Sequence, residues 1–243
     1  MPKATARPPA DSCLTCVNRA HSHWCTLSED ELVRLDGARR VLECEEGASL
    51  FEQGDAAGAA YCVKCGVVAI RRLDAEGNSV TLGLHYPGDL VGHHSLLSGG
   101  EQRSGAEALE PATVCAIDGA AVRDALQRNP ELARDMLRRA LEEVEQAQDR
   151  MVRAATLSNR DRLIGLLLQL LRRHGEPKAD GSYHLHLPLP RRDLASMIGV
   201  RHETLSRLIA RLKREGVAQF SGRNVIVPSE RALAAAVRGP ADI

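Results

Sequence analysis

Seven cysteines stand at Cys13, Cys16, Cys25, Cys44, Cys62, Cys65 and Cys115. Three of them fall in CLTCVNRAHSHWC, residues 13–25, a polar stretch with no helical period. The chain opens MPKATARPPADS, which lacks the apolar core of a secretory leader, so the expected compartment is a reducing cytoplasm. An odd number of cysteines there argues against a disulfide framework and for metal binding or redox sensing. Structural zinc on three cysteines and a histidine, or on four cysteines, is compatible with the spacing, with His21 and His23 as substitute ligands. A metal-free thiol switch is a further reading. Cys62-x₂-Cys65 lies on an expected strand, where residues three apart face opposite sides, so that pair is a poor chelate. Cys62 and Cys44 read as strand residues.

A second stretch with chemistry is RRDLASMIGVRHETLSRLIARLKREG, residues 191–216. Leu194, Met197 and Ile198 make one short apolar face, Gly199 breaks it, and Leu205, Leu208, Ile209 and Leu212 make another. Two short helices joined at a glycine have the helix-turn-helix layout, in which the second helix enters the DNA major groove; an ordinary amphipathic helix pair with a solvated charged face is the other reading. Its outer face carries Arg201, His202, Glu203, Ser206 and Arg207. Arginine suits guanine, a carboxylate suits the cytosine amino group, and serine suits either partner. Arg211 and Lys213 suit phosphates. The following VAQF-SGRN-VIV reads as a hairpin wing.

Charge supports a polyanionic partner. The chain is neutral overall, yet residues 155–243 carry 15 Lys and Arg against 8 Asp and Glu, while residues 1–154 carry 17 against 24. Between Val41 and Asp118, turn signals recur between short apolar runs, as in antiparallel sandwiches and rolls, and VVAIRR-EGN-SVTLGL reads as a hairpin. Asn129-Pro130 opens a long helix. Met136, Ala140, Val144, Ala147, Met151, Ala154 and Ser158 form a heptad-like seam along it, with Leu137, Leu141 and Val152 beside them. Two stripes suggest two partners, the helix's own domain and a second copy of the chain; one wide buried face within a monomer is the other reading. No apolar run approaches the length of a membrane span, and no P-loop, GxSxG, HExxH or catalytic triad is present, so neither a membrane protein nor an enzyme is expected. The expected class is α+β: residues 1–12 a disordered tail, 13–128 a cysteine-bearing segment and β-roll, 129–158 a dimerisation helix, and 159–243 a winged helix-turn-helix.

In this setting PGDLVG (87–92), EPATVCAID (110–118) and HETLSRLIARLKREG (202–216) resemble the Crp/Fnr superfamily of bacterial transcription regulators, the FNR branch most of all. The resemblance covers about residues 13–235. It implies a [4Fe–4S] cluster on Cys13, Cys16, Cys25 and Cys115, with a longer interval between Cys16 and Cys25 than in enteric FNR. It implies that Glu203 and Arg207 read a G·C pair and Ser206 a neighbouring thymine, in two-fold sites with TTGAT-like half-sites. His202 replaces both the arginine of the cyclic-AMP receptor and the valine of FNR. The implied function is an oxygen-responsive homodimer that controls genes for low-oxygen growth and meets RNA polymerase. Nitric oxide acting on the same cluster is one alternative. Cyclic-nucleotide sensing is another: Arg103-Ser104 resembles a phosphate-binding pair, but His93-His94 follows Gly92 where a ribose-binding glutamate is expected.

Overall fold

The computed structural model describes residues 5–7 and 12–237. The chain divides into two compact units, Met1–Glu143 and Val144–Ile243. Among the described residues no helix is long and apolar enough to cross a membrane.

The first unit contains β1 (Thr5–Arg7), α1 (Glu29–Gly37), β2 (Arg39–Cys44), β3 (Ser49–Phe51), β4 (Ala59–Cys65), β5 (Val68–Leu73), β6 (Ser79–His85), β7 (Leu90–Val91), α2 (His93–Ser98), β8 (Gly105–Ala108), β9 (Ala112–Asp118) and α3 (Gly119–Arg128). Helix α4 (Pro130–Thr156) follows. The strands form two antiparallel sheets, ordered β1-β2-β9-β4-β7 and β3-β8-β5-β6. The hairpin expected around EGN is β5–β6, and its turn is closed by the Asp74 carboxylate, which accepts from the Asn78 N–H at 2.8 Å.

The sheet containing β4 and β9 has an apolar layer on each face. Val63, Val91 and Val114 pack with Val68, Ala106 and Ala108 of the other sheet. Ala60 and Ile117 pack instead with Trp24, Leu27, Leu32, Leu35, Val122, Leu132 and Met136. Alternation along each strand sends neighbouring residues to different layers. Where β4 turns into β5, Gly66 has φ +85°, and a Cβ there would lie 2.7 Å from Ala112 Cβ, so only glycine fits.

Helix α1 begins with the expected capping box: Ser28 Oγ accepts from the Glu31 N–H, and Glu31 returns a carboxylate to the Ser28 N–H at 2.8 Å. Glu31 also accepts from Asn129 Nδ2 at 3.1 Å, while Asn129 Oδ1 accepts from the Leu132 N–H at 2.9 Å. This fixes the entry to α4 against α1. The tail expectation changes at residues 5–7, where β1 pairs with β2 because that outer strand offers unpaired backbone groups. The rest of that expectation, residues 1–4 and 8–11, lies outside the described residues.

In the second unit come α5 (Asn159–His174), β10 (Gly175–Pro177), β11 (Tyr183–His186), α6 (Arg191–Met197), α7 (His202–Arg214), β12 (Gln219–Ser221), β13 (Asn224–Val227) and α8 (Glu230–Ala235). Its sheet runs β10-β11-β13-β12. Gly199, at φ +66°, supplies the left-handed turn between α6 and α7. The unit is clasped by Arg160, which is 6% exposed. It donates to Glu215 at 2.6 and 2.9 Å, to Asp161 at 3.1 Å and to the Ala236 carbonyl at 2.7 Å. Replacing it removes the guanidinium shared by Glu215, the Ala236 carbonyl and the buried Asp161 carboxylate, which keeps a neutral partner in Ser158 Oγ at 2.7 Å. Arg160→Leu is expected to lower unfolding stability by about 3 kcal/mol. Arg172→Ala, which breaks the exposed Arg172–Glu230 pair, should cost at most about 0.5 kcal/mol. Equilibrium urea denaturation of the two variants checks the contrast.

Candidate functional site

A cleft opens on the outer face of the β4–β9 ladder. Cys13, Cys16, Cys62 and Cys115 all line it, together with Trp24, Leu32, Ile117 and other residues of the same segments. Cys62 and Cys115 are direct cross-strand partners. The sequence separation between them is large, and only the strand pairing reveals that they meet. Cys65 corrects the expectation of opposite faces: a bulge between Val63 and Cys65 pairs it with Thr113, two residues from Cys115, and at the strand end it is exposed and does not line the cleft. Cys44 is buried in the other layer, among Ala48, Val63 and Val114.

The segment carrying Cys13 and Cys16 is pinned over this face. The Cys13 N–H donates to Asp36 Oδ1 at 2.7 Å, and Asn18 Nδ2 donates to the Lys64 carbonyl at 2.7 Å. Asp36 Oδ1 also accepts from Arg39 Nε at 2.5 Å, and Arg39 Nη1 reaches Cys115 Sγ at 3.6 Å. Arg39 is thus a buried cation beside the cleft, which the sequence reading missed. Its only sequence signal is a basic residue at a strand start.

Of the four cysteines expected to act together, three face this cleft. Cys25 is exposed and does not line it, whereas Cys62 does. His21 is exposed, and His23 is buried with its ring 5.4 Å from that of His93. Burial, aided by Arg139, lowers the His23 pKa to about 4, and burial with His94 and His23 nearby lowers that of His93 to about 3.

The surroundings of Cys13, Cys62 and Cys115 disfavour their ionisation. Burial and the hydrogen bond to Asp36 push Cys13 up to about 12, and burial raises Cys62 as well. Burial also raises Cys115, against the opposing pull of Arg39. Two buried donors remain unsatisfied here: Arg39 Nη2 and Trp24 Nε1. The Trp24 indole interacts with the Cys62 thiol, yet its N–H closes no hydrogen bond. Buried donors without acceptors are costly, so this wall suits an anionic occupant. Among the described residues no three cysteine sulfurs lie within 4.8 Å of one another. A single zinc ion at 2.3 Å from each would draw them to about 3.8 Å. The cleft therefore gathers thiols without forming a preformed three-sulfur zinc cage.

The DNA-facing candidates lie on α7. Leu205, Ile209 and Leu212 are buried and hold the helix to its unit. Arg201, His202, Glu203 and Arg207 are exposed, and Ser206 is half-buried on the same outer side. Arg211 and Lys213 are exposed too, but Arg211 Nε donates to Glu215 at 2.8 Å, which offsets its charge.

Helix α4 carries the expected stripes, with a correction in register. Met136, expected to head an intersubunit seam, is 7% exposed and packs with Leu132 in the core of its own unit. The exposed apolar residues are Leu137, Leu141, Val144, Met151 and Val152, at 52–72%. Ala140 and Ala147 are half-buried, and Ala154 is exposed. The packing of Leu132 and Met136 rotates the outward stripe toward Leu137 and Leu141.

Two family models match the chain: a cyclic nucleotide-binding domain over residues 41–129 and a Crp-like helix-turn-helix domain over residues 161–236. The fumarate and nitrate reduction regulatory proteins of Salmonella typhimurium and Escherichia coli K12 are each 29% identical to it. The matches span 86% of this chain and 84% and 83% of those proteins. The structure of FixK2 from Bradyrhizobium japonicum superimposes with a TM-score of 0.71 at 25% identity, covering 84% of this chain and 99% of that one. The c-di-GMP responsive regulator CLP of Xanthomonas campestris shares the fold, with a TM-score of 0.71 at 19% identity over 82% of this chain and 99% of its own.

The Arg39–Cys115 contact gives a test on the reduced, metal-free protein. Arg39 lowers the Cys115 pKa against burial, so Arg39→Met should raise it further and shrink the thiolate fraction. Alkylation of Cys115 should slow about threefold or more while that of exposed Cys65 is unchanged. Mass-spectrometric labelling kinetics check this. Faster labelling of Cys115 would mean that Arg39 acts by closing the cleft.

Proposed function

The chain belongs to the Crp/Fnr family of transcription regulators, and from that premise we propose that it senses oxygen through a [4Fe–4S] cluster and binds DNA as a homodimer. The observation that carries this reading is the convergence of Cys13, Cys16 and Cys115 on one cleft, with the buried Arg39 guanidinium against Cys115 behind it. Those three thiolates, with Cys25 as the fourth, would hold the group. A bound [4Fe–4S] cluster supplies an oxygen-labile anionic centre. The residues around it do the rest. Arg39, against Cys115, and the Trp24 indole in the lining would offer positive charge and an N–H donor to it, Asp36 fixes both Cys13 and Arg39, and Leu32 and Ile117 would limit water. The apolar stripe Leu137–Leu141–Val144–Met151 is the proposed contact between two copies.

Loading should require all four proposed ligands. Serine at Cys13, Cys16 or Cys115 is expected to abolish iron binding, measured as iron and acid-labile sulfide in protein purified without air, against about four iron atoms per wild-type chain. Cys25→Ser should do the same, and Cys62→Ser should leave iron near normal. Iron lost in Cys62→Ser and kept in Cys25→Ser would transfer the fourth position to Cys62, which already lines the cleft. Full iron in Cys115→Ser would overturn the cluster reading. Exposing the loaded protein to air and to nitric oxide separately distinguishes the two signals.

For DNA, Arg207 is proposed to donate twice to guanine and Glu203 to accept from its paired cytosine, with Ser206 beside a thymine and His202 at the outer base. Arg201 and Lys213, with a weaker share from Arg211, would contact phosphates. Wild type should prefer a two-fold TTGAT-type site over one with the G·C pair changed by about 1–3 kcal/mol, and Glu203→Ala should lose most of that preference. Equal discrimination by Glu203→Ala in fluorescence anisotropy would remove this readout. Binding only with added cyclic AMP would favour the nucleotide-responsive alternative.

A further inference from the structure

A second cluster of potential ligands lies apart from the cysteine cleft, within the same unit. His93 and His94 open α2, and Glu143 lies on α4. One ligand atom from each falls within 4.8 Å of the other two. His94 Nε2 and Glu143 Oε2 are already 3.3 Å apart. Two ligands held tetrahedrally at about 2.0–2.1 Å from a zinc ion are themselves about 3.3 Å apart, so this edge has the spacing of a coordination site before any ion arrives.

We propose that His93, His94 and Glu143 bind a divalent transition-metal ion of the zinc, cobalt or nickel type. The ligand set is two imidazoles and one carboxylate, which suits such ions and leaves a fourth position for water or another side chain. A second observation points the same way. His93 is 6% exposed and its Nδ1 has no hydrogen-bond partner, and Nδ1 of neighbouring His23 is likewise buried and unpartnered. An ordinary surface histidine–carboxylate pair would need only His94 and Glu143. It would not account for a buried imidazole packed 4.1 Å from His94, ring centre to ring centre, with a nitrogen left unsatisfied.

The consequence is mechanical. His93 and His94 follow Gly92, so the ion would fasten the start of α2 to α4 one residue before Val144 of the exposed stripe. A metal there restrains α4 independently of anything bound by the cysteines, and the proposal does not rest on the cluster reading.

The test uses the full chain, stripped with chelator and titrated with cobalt(II), whose visible d–d bands report geometry and whose near-ultraviolet charge-transfer band reports thiolate. The wild type is compared with His94→Ala, Glu143→Gln and a Cys13→Ser, Cys16→Ser, Cys115→Ser triple variant. The His94 side chain is exposed and that of Glu143 partly so, at 60% and 41%, so their replacements should leave circular dichroism unchanged. The expected result is one cobalt per chain in the triple variant with no thiolate band, weakened about tenfold or more by His94→Ala and by Glu143→Gln. Cobalt affinity unaltered by either replacement, or binding abolished in the triple variant, would overturn the site. Iron and sulfide analysis of the same proteins follows the cysteine cleft separately.

Discussion

Antiparallel pairing of β4 with β9 sets Cys62 opposite Cys115 and Val63 opposite Val114. Because side chains alternate across a pleated strand, the valines must enter the layer between the two sheets and the cysteines must face away from it. The remaining architecture of this unit follows from what covers that outer face. Segment 13–27, α1, α3 and the first turns of α4 supply Trp24, Leu27, Leu32, Leu35, Val122, Leu132 and Met136 to it. A register slip of one residue would exchange the faces, burying thiols between the sheets and exposing valines. The apolar demand of the valines therefore fixes where the cysteine chemistry occurs.

Covering a polar, thiol-bearing face with apolar residues creates the electrostatic problem that the cleft has to solve. Burial opposes ionisation of Cys13, Cys62 and Cys115, and Arg39 is the countercharge brought in beneath them. Asp36 holds that cation in place while also accepting from the backbone of Cys13, so one carboxylate registers both the strand start and the covering segment. Arg39 Nη2 and Trp24 Nε1 remain unpaired. On the reading proposed above, these two N–H groups lie beside the place where negative charge would be held.

Local patterns were legible in the sequence where the answer lies within one element. The capping box at Ser28, the hairpin around Glu76-Gly77-Asn78, the proline that opens α4, and the break at Gly199 between two apolar faces all depend on residues a few positions apart. What the sequence concealed depends on pairing over long separations. Cys62 reads as an ordinary strand residue until β4 meets β9. Arg39 has no motif: Asp36 lies three residues before it, but its role comes from Cys115, which the fold brings to it. On α4 both apolar stripes are visible in the sequence, but only the packing of Leu132 and Met136 against the covering layer decides which turns inward. Strand β1 escaped notice because three residues without apolar alternation join a sheet only through the backbone of β2.

That same covering layer gives a physical route from the cysteine cleft to α4. Trp24, Leu32 and Ile117 line the cleft, and all three belong to the core that also contains Leu132 and Met136. Packed cores resist continuous deformation, so a change in what the cleft holds is relieved by small displacements of its neighbours. Met136 is followed at once by Leu137, the first exposed member of the outward stripe, so a rotation that resettles Met136 re-aims Leu137 and Leu141 by the same angle. The stripe is short and flanked by charged residues, Arg138 with Asp135 and Glu142 among them, so association through it has a modest apolar area to draw on. Where association is marginal, a bias of about 1.4 kcal/mol changes the balance tenfold. On the reading proposed above, a small rearrangement within one layer would be enough to bias pairing of two copies.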